Sequence, residues 1–305
     1  MTGSGRVTRR TGLRGALAAT VAVPLLTTFR PSDGPLARRT PQEPPDAPPL
    51  EVMSFNVRYA GTQEPNSWAV RRPVMRALLR RAAPHVIGTQ EGQYPQLNDV
   101  EADLGPHYDW IGTGRHVGGG EIMAVFYDTR RLTPVDHAHF WLSDTPEVPG
   151  SRSWGAALPR TVTWVRFRDR LDGGRQFCVL NTHLDHASAA ARARAADLIA
   201  RRVPRIARSQ PLLVTGDFNA AAHTSEVHGA LLGAGLVDTW DTAERRGPSY
   251  GTFHGYRPLR PDGERIDWIL ATPDVTALRT SVDTYAHGGQ WPSDHLPVRA
   301  TLRLG

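Results

Sequence analysis

Six short polar clusters punctuate this chain: Ser54-Phe55-Asn56-Val57-Arg58, Gln90-Glu91, Asn181-Thr182-His183-Leu184, Gly216-Asp217-Phe218-Asn219, Arg265-Ile266-Asp267 and Ser293-Asp294-His295. Each carries a carboxylate, an amide or an imidazole, and nearly every one closes a short apolar run that reads as a buried strand. Polar groups delivered by several strand ends converge on one pocket. Carboxylates and histidines together there suit a hard divalent ion and phosphoryl chemistry.

The residue types suggest a division of labour. Glu91, at a strand end, is placed to bind Mg²⁺ directly, and Asn56 either adds a neutral oxygen ligand or fixes that carboxylate. Asp217 and Asn219, two apart in a locally extended chain, share a face. Asp217 can orient or deprotonate a water, and Asn219 can bind a phosphoryl oxygen. Asp267 is the candidate orienter of His295, since a carboxylate on one imidazole nitrogen fixes the tautomer and raises basicity. Asp294 is a candidate metal ligand. His183 can donate to a phosphate oxygen or protonate a leaving group, whereas His186 reads as peripheral. Several other chemistries lack their signatures. A chain without lysine has no Gly-x-x-x-x-Gly-Lys loop, and neither a Gly-x-Ser-x-Gly elbow nor a Cys-x-x-Cys or His-Glu-x-x-His zinc motif is present.

The elements that must hold these groups are legible as periodicities. Strands are predicted over 50–55, 85–90, 121–127, 161–167, 175–182, 212–215, 266–271 and 297–304, and helices over 68–82, 94–104 and 187–206. The runs 161–167 and 175–182 read as an antiparallel pair joined at Asp172-Gly173-Gly174. Gly118-Gly119-Gly120 reads as a flexible loop and not a phosphate cradle. Helices set between groups of strands, with hairpins mixed in, point to a layered α/β or α+β sandwich.

Length and charge bound the rest. The chain has 305 residues, 40% of them hydrophobic, and removing an N-terminal tail leaves about 255, enough for one large domain. The net charge is +6, but residues 1–48 hold seven arginines and three acids, so the remainder carries only +2. That weakens any argument for nucleic acid from net charge. The lone Cys178 reads as buried filler. Arg9-Arg10 ahead of the apolar run 16–26 resembles a twin-arginine export signal over 1–40, and 41–49 reads as a Pro-rich linker to a domain over 50–305. The apolar run is shorter than the roughly 20 residues of a membrane span. A secreted or extracytoplasmic location is expected, with retention by an uncleaved signal as the variant.

In this order the clusters resemble the endonuclease/exonuclease/phosphatase superfamily, the metal-dependent phosphoesterases that include deoxyribonuclease-like enzymes, over about residues 50–304. The resemblance implies a four-layer α/β (α+β) sandwich, two packed mixed β-sheets flanked by helices, with the site at one edge. It implies Asn56, Glu91 and Asp294 around Mg²⁺ or Mn²⁺, and Asp217 and Asn219 flanking the attacking water and phosphate. His183 and His295 would contact the scissile phosphate, with Asp267 behind His295. Glu121 matches the acid that supports the first histidine in the deoxyribonuclease-like branch. The abasic-site branch is disfavoured, because Arg58 and His183 stand where it has an acid and a tyrosine. The segment 140–158 looks like a loop of bacterial members whose aromatics either stack on a substrate ring or pack beneath the loop. The expected function is hydrolysis of phosphate esters by in-line attack of water. An extracellular nuclease and an inactive carbohydrate- or lipid-binding module are the alternatives. The substrate would be a phosphorylated small molecule, phospholipid or nucleic acid, and a monomer without an obligate partner is expected.

Overall fold

The computed structural model describes residues 47–305; the export signal expected over 1–40 and most of the linker lie outside the described residues. The elements in chain order are β1 (Leu50–Asn56), α1 (Trp68–Ala82), β2 (Val86–Gly92), α2 (Tyr94–Leu104), β3 (Tyr108–Ile111), β4 (Gly114–His116) and β5 (Gly119–Asp128). There follow β6 (Leu132–Trp141), β7 (Thr161–Asp169), β8 (Gln176–His183), α3 (Ala189–Ala207), β9 (Leu212–Asp217), α4 (Glu226–Gly233) and β10 (Val237–Asp238). The chain finishes with α5 (Thr239–Thr242), β11 (Arg245–Arg246), β12 (Asp267–Ala271), β13 (Thr276–Val282) and β14 (Val298–Arg303).

Two mixed sheets result. The first runs β11-β13-β14-β1-β2-β5-β3, with β4 paired to β5; the second runs β10-β12-β9-β8-β7-β6. The pairs β1/β2 and β8/β9 are parallel. Alternation sends successive side chains to opposite faces. Val52, Val86 and Val125 meet Val179, Leu213 and Ile269 between the sheets. Met53, Ile87 and Phe126 turn outward onto Met75, Leu78 and Leu97 of α1 and α2. Cys178, Leu180 and Val214 turn outward onto Ile199, Val203 and Leu231 of α3 and α4. With both faces covered, the central strands are apolar almost throughout, which makes their sequence runs continuous. This is the four-layer sandwich expected. Cys178 is buried filler, as read.

Local signals start and stop the helices. Ser67 caps α1 by accepting from the Val70 amide, Arg80 and Arg81 lie in its last turn, and Ser188 caps α3 by accepting from the Ala191 amide. A polar rung also ties sheet to sheet. Gln90 donates to Asn181 Oδ1 at 2.7 Å, and Asn181 donates to the Thr89 and Ala124 carbonyls at 2.8 and 3.0 Å. Gly88 permits that approach, because a Cβ there would lie 2.0 Å from Thr215 Oγ1 and 2.7 Å from Asn181 Oδ1. Two of the polar clusters therefore contribute clamps, Gln90 and Asn181, beside reactive groups.

The structure adds elements the periodicities miss, among them β6, β13 and α4. The segment 140–158 begins as the end of β6; Phe140 and Trp141 are buried, so these aromatics pack beneath the loop. The glycine run is not a loose loop, since Gly119 and Gly120 open β5 after a turn from β4.

Candidate active site

Strand register gathers the polar ends. Asp217 pairs across β9/β12 with Asp267 and across β8/β9 with His183, and Asn56 pairs with Gln90 across β1/β2. Glu91 lies one step beyond, at a bulge against β5, with φ +65°. The left-handed backbone of Glu91 and of Asn219 (φ +48°) costs of order 1–3 kcal/mol each and aims both side chains into the same cavity. That cavity is about 280 Å³ and is lined by Glu91, Glu121, His183, Asp217, Asn219, Asp294 and His295 among others.

A chain of hydrogen bonds and one ion pair runs through it. Asp267 Oδ2 accepts from His295 Nδ1 at 2.9 Å, and His295 Nε2 faces Asp217 Oδ2 at 3.7 Å. Asn56 Nδ2 donates to Asp217 Oδ2 at 3.0 Å and to Glu91 Oε1 at 2.9 Å. The Asn56 oxygen accepts the Arg58 amide at 2.9 Å, and a backbone N–H can only donate, so this fixes the amide's orientation. Of the two roles read for Asn56, fixing the carboxylates is the one observed. Asp217 Oδ1 accepts the Asn219 amide at 3.0 Å, and Asn219 Nδ2 lies 3.0 Å from His183 Nε2.

Burial sets the protonation. Asp217 is pushed up to about 7 by desolvation and by the facing Asp267 carboxylate, against the pull of His295 and Asn56. Desolvation opposes charge on His295, but Asp267 and Asp217 prevail and lift it to about 10. One imidazolium thus serves two buried carboxylates, and losing it would strand like charges in a low-dielectric site. His183 is held well below the ordinary histidine range by burial, then by Arg160 and His295. His183 Nε2 accepts from Asn219 Nδ2, whose amide also donates to the Leu184 carbonyl, and the neutral ring is not a reservoir of acid.

Arginines pair with two of the expected site acids. Glu121 does not support His183. Its Oε2 accepts from Arg115 Nη1 at 2.7 Å, and His183 Nδ1 is buried with no partner. The half-buried Arg115 guanidinium is the stronger partner for a carboxylate that burial otherwise pushes toward protonation. Asp294, expected beside the metal, has its Oδ2 paired with Arg58, whose guanidinium also lies over the Tyr256 ring at 5.4 Å. Glu91, Asp217 and His295 form one group able to hold an ion, their ligand atoms within 4.8 Å of one another, and Asp294 lines the same cavity. Oxygen donors from Glu91 and Asp217 suit a hard divalent cation, and the Asp267-bound His295 is better suited to a proton than to a metal.

Sequence reasoning missed the arginines and aromatics of the site. Arg160 lines the cavity with only 5% of its residue surface exposed, and its Nε has no hydrogen-bond partner, lying 4.0 Å from Asp185 Oδ2. Phe253 stands at the mouth 54% exposed, its ring 4.9 Å from that of His295. Arg71, fully buried, donates to the carbonyls of Asn66, Val57, Pro292, Arg58 and Tyr59, pinning the loop after β1 to the segment before Ser293. One signal for it existed: Arg71 stands in helical phase with Val74, Met75 and Leu78, on the buried face of α1. His186 lies at the cavity rim 3.0 Å from Arg160, consistent with a peripheral place.

Known proteins resemble this chain over most of its length. Residues 53–295 match the model of the Endonuclease/Exonuclease/phosphatase family. A solved structure of a family protein from Bacteroides thetaiotaomicron superposes with TM-score 0.79 at 34% identity, covering 85% of this chain and 99% of that one. A mannosyl-6-phosphatase of Bacteroides thetaiotaomicron superposes with TM-score 0.77 at 35% identity, covering 83% and 99%. Nocturnin of Drosophila melanogaster is 28% identical over 192 residues, which span 50% of this chain and only 29% of that protein.

Proposed function

Because the chain belongs to the Endonuclease/Exonuclease/phosphatase family, whose members are phosphoesterases and nucleases, we propose that it is a secreted, divalent-metal-dependent hydrolase of phosphate esters. The observation that carries this reading is the buried series Asp267–His295–Asp217–Asn56–Glu91, which ends in a cavity of about 280 Å³. A binding module that had lost catalysis would have no reason to keep two carboxylates and an imidazolium buried at such desolvation cost.

Glu91 and Asp217 would hold Mg²⁺ or Mn²⁺, with Asn56 bridging and orienting both carboxylates. The ion would supply charge neutralisation at the phosphoryl oxygens and the leaving oxygen. Asp217, with His295 behind it, positions the attacking water and accepts its proton, so that the bond to phosphorus forms as the ester oxygen departs in line. Asp267 keeps His295 charged and correctly turned. His183 and Asn219 would contact the phosphoryl oxygens, and Arg160 brings positive charge to the same wall. Release from the cytoplasm by the twin-arginine signal at Arg9-Arg10 completes the reading. A phosphorylated sugar is the substrate we favour, on the likeness to the mannosyl-6-phosphatase.

Hydrolysis of p-nitrophenyl phosphate and bis-p-nitrophenyl phosphate with Mg²⁺, Mn²⁺ or EDTA tests the proposal. Metal-dependent release from the monoester is expected, extending to hexose 6-phosphates. Release confined to the diester would turn the search to nucleic acids, and release from neither ester with any metal would defeat the catalytic reading.

A further inference from the structure

We propose that a second metal site, for Zn²⁺ or a comparable borderline ion, lies behind the catalytic cavity and is formed by His223, His228 and Asp238, with Asp241 holding His223. Three separate pieces of chain converge there. His223 belongs to the loop that follows Asn219, His228 to α4, and Asp238 to β10. Their ligand atoms lie within 4.8 Å of one another. His228 Nε2 is 3.2 Å from Asp238 Oδ2. Two ligands at about 2.0–2.1 Å on a tetrahedral ion are separated by roughly that edge, so the pair is already spaced for zinc. The rings of His223 and His228 are 5.3 Å apart and steeply inclined, as they are when two imidazoles converge on one point.

The remaining neighbours fit the same assignment. The Asp241 carboxylate lies 2.9 and 3.0 Å from His223 Nε2. A carboxylate on one ring nitrogen fixes the other for a metal, the usual outer arrangement of ligating histidines. Arg265 reaches Asp238 Oδ2 at 3.0 Å, and Oδ1 accepts the Trp240 amide at 2.8 Å. Arg265 pairs with Asp238, and Asp241 pairs with His223. A histidine–carboxylate set selects against Mg²⁺, which prefers oxygen ligands and keeps its waters. His228 and Asp238 are buried anchors, whereas the half-exposed His223 and Asp241 close from the solvent side. Ligation would staple the loop leaving Asp217 and Asn219 to α4 and β10. The ion's role is to hold that loop, and it takes no part in turnover.

The full chain, stripped with chelator, is titrated with Zn²⁺ in millimolar Mg²⁺. Bound zinc is measured by mass spectrometry after gel filtration, with thermal melting in parallel. About one zinc per chain and a raised melting temperature are expected. The exposed substitution His223→Ala should fold normally, keep Mg²⁺-dependent turnover and weaken zinc binding at least tenfold. Asp241→Asn should weaken it in the same direction, and Glu91→Gln, in the catalytic cavity, should leave it intact. Absence of zinc binding, binding unchanged in His223→Ala, or binding lost only in Glu91→Gln would overturn the site. The zinc-binding and melting readouts do not depend on the proposed hydrolysis.

Discussion

Asp217 and His295 concentrate the chemistry, and their protonation is linked to metal binding. Near pH 7 the Asp217 carboxyl, pushed up to about 7, is partly protonated, and a cation bound there must displace that proton. Metal affinity is therefore lost as pH falls below 7 and gained as it rises. Titration calorimetry with Mn²⁺ at pH 6 and pH 8 should show tighter binding at pH 8, by about tenfold per pH unit for each proton released below the pKa. Equal affinity at both pH values would contradict the assignment of Asp217 as a ligand. At the same scale, His295→Ala removes the one imidazolium between two buried aspartates. A loss of about 10²–10⁴ in kcat is expected, the range for a positioned proton-transfer group. His295→Ala should also shift Asp217 further toward protonation, visible as a lower metal affinity at neutral pH.

Individual site residues were unevenly legible. Asp217 closes the apolar run of β9, with Asn219 two residues on, and Asp267 opens β12, where a sudden polar residue is conspicuous; His295 was legible from Ser293-Asp294-His295 itself. Arg71, Arg115 and Arg160 did not stand out, because they are three among 36 basic residues, every one of them arginine. What distinguishes them is burial, which no short pattern announces. Glu121 was assigned to His183 by resemblance alone, and a local competitor, Arg115, six residues away, takes its carboxylate instead.

Among the elements, β2 meets β8 and β9 across the two sheets. Gly88→Ala would force a methyl to within 2.0 Å of Thr215 Oγ1, so one sheet must shift. Overpacking of this kind costs about 1–3 kcal/mol. Chemical denaturation should show a loss of that size, accompanied by reduced turnover because Glu91 and Asp217 sit at the ends of the displaced strands. A neutral substitution would mean that the sheets are held elsewhere. The central strands were legible because both faces are covered and their runs are continuously apolar. By contrast, β6 carries Pro134, Asp136, His137 and His139 on an edge of its sheet, and the two-residue β10 and β11 are too short to show a period. In α4, the glycines 229 and 233 dilute the helical signal, although Ser225 caps it.

For the whole molecule, several buried imidazoles make the fold sensitive to acid. Burial, aided by His137, lowers His139 to about 4, and burial also lowers His85 and His183. Between an unfolded value of about 6.5 and the folded value, only the unfolded chain takes up the proton. Stability contributed by these neutral imidazoles is thus complete above pH 6.5 and declines as pH falls toward 4. Melting temperatures measured from pH 7 to pH 4.5 should fall, and His139→Gln should fall less steeply; parallel curves would remove His139 from the explanation.

The account rests most on hydrolysis driven from Asp217. The direct measurement is Mg²⁺-dependent turnover of p-nitrophenyl phosphate by wild type and Asp217→Asn, at matched circular dichroism and melting. Asn is nearly isosteric with Asp, so its fold should be preserved while the proton acceptor and anionic metal ligand are lost. The expected result is metal-dependent turnover in wild type and a fall of at least about 10³ in Asp217→Asn. Folded Asp217→Asn turning over at near-wild-type rate would contradict the central claim, because the buried series of carboxylates and imidazole would then have no catalytic purpose.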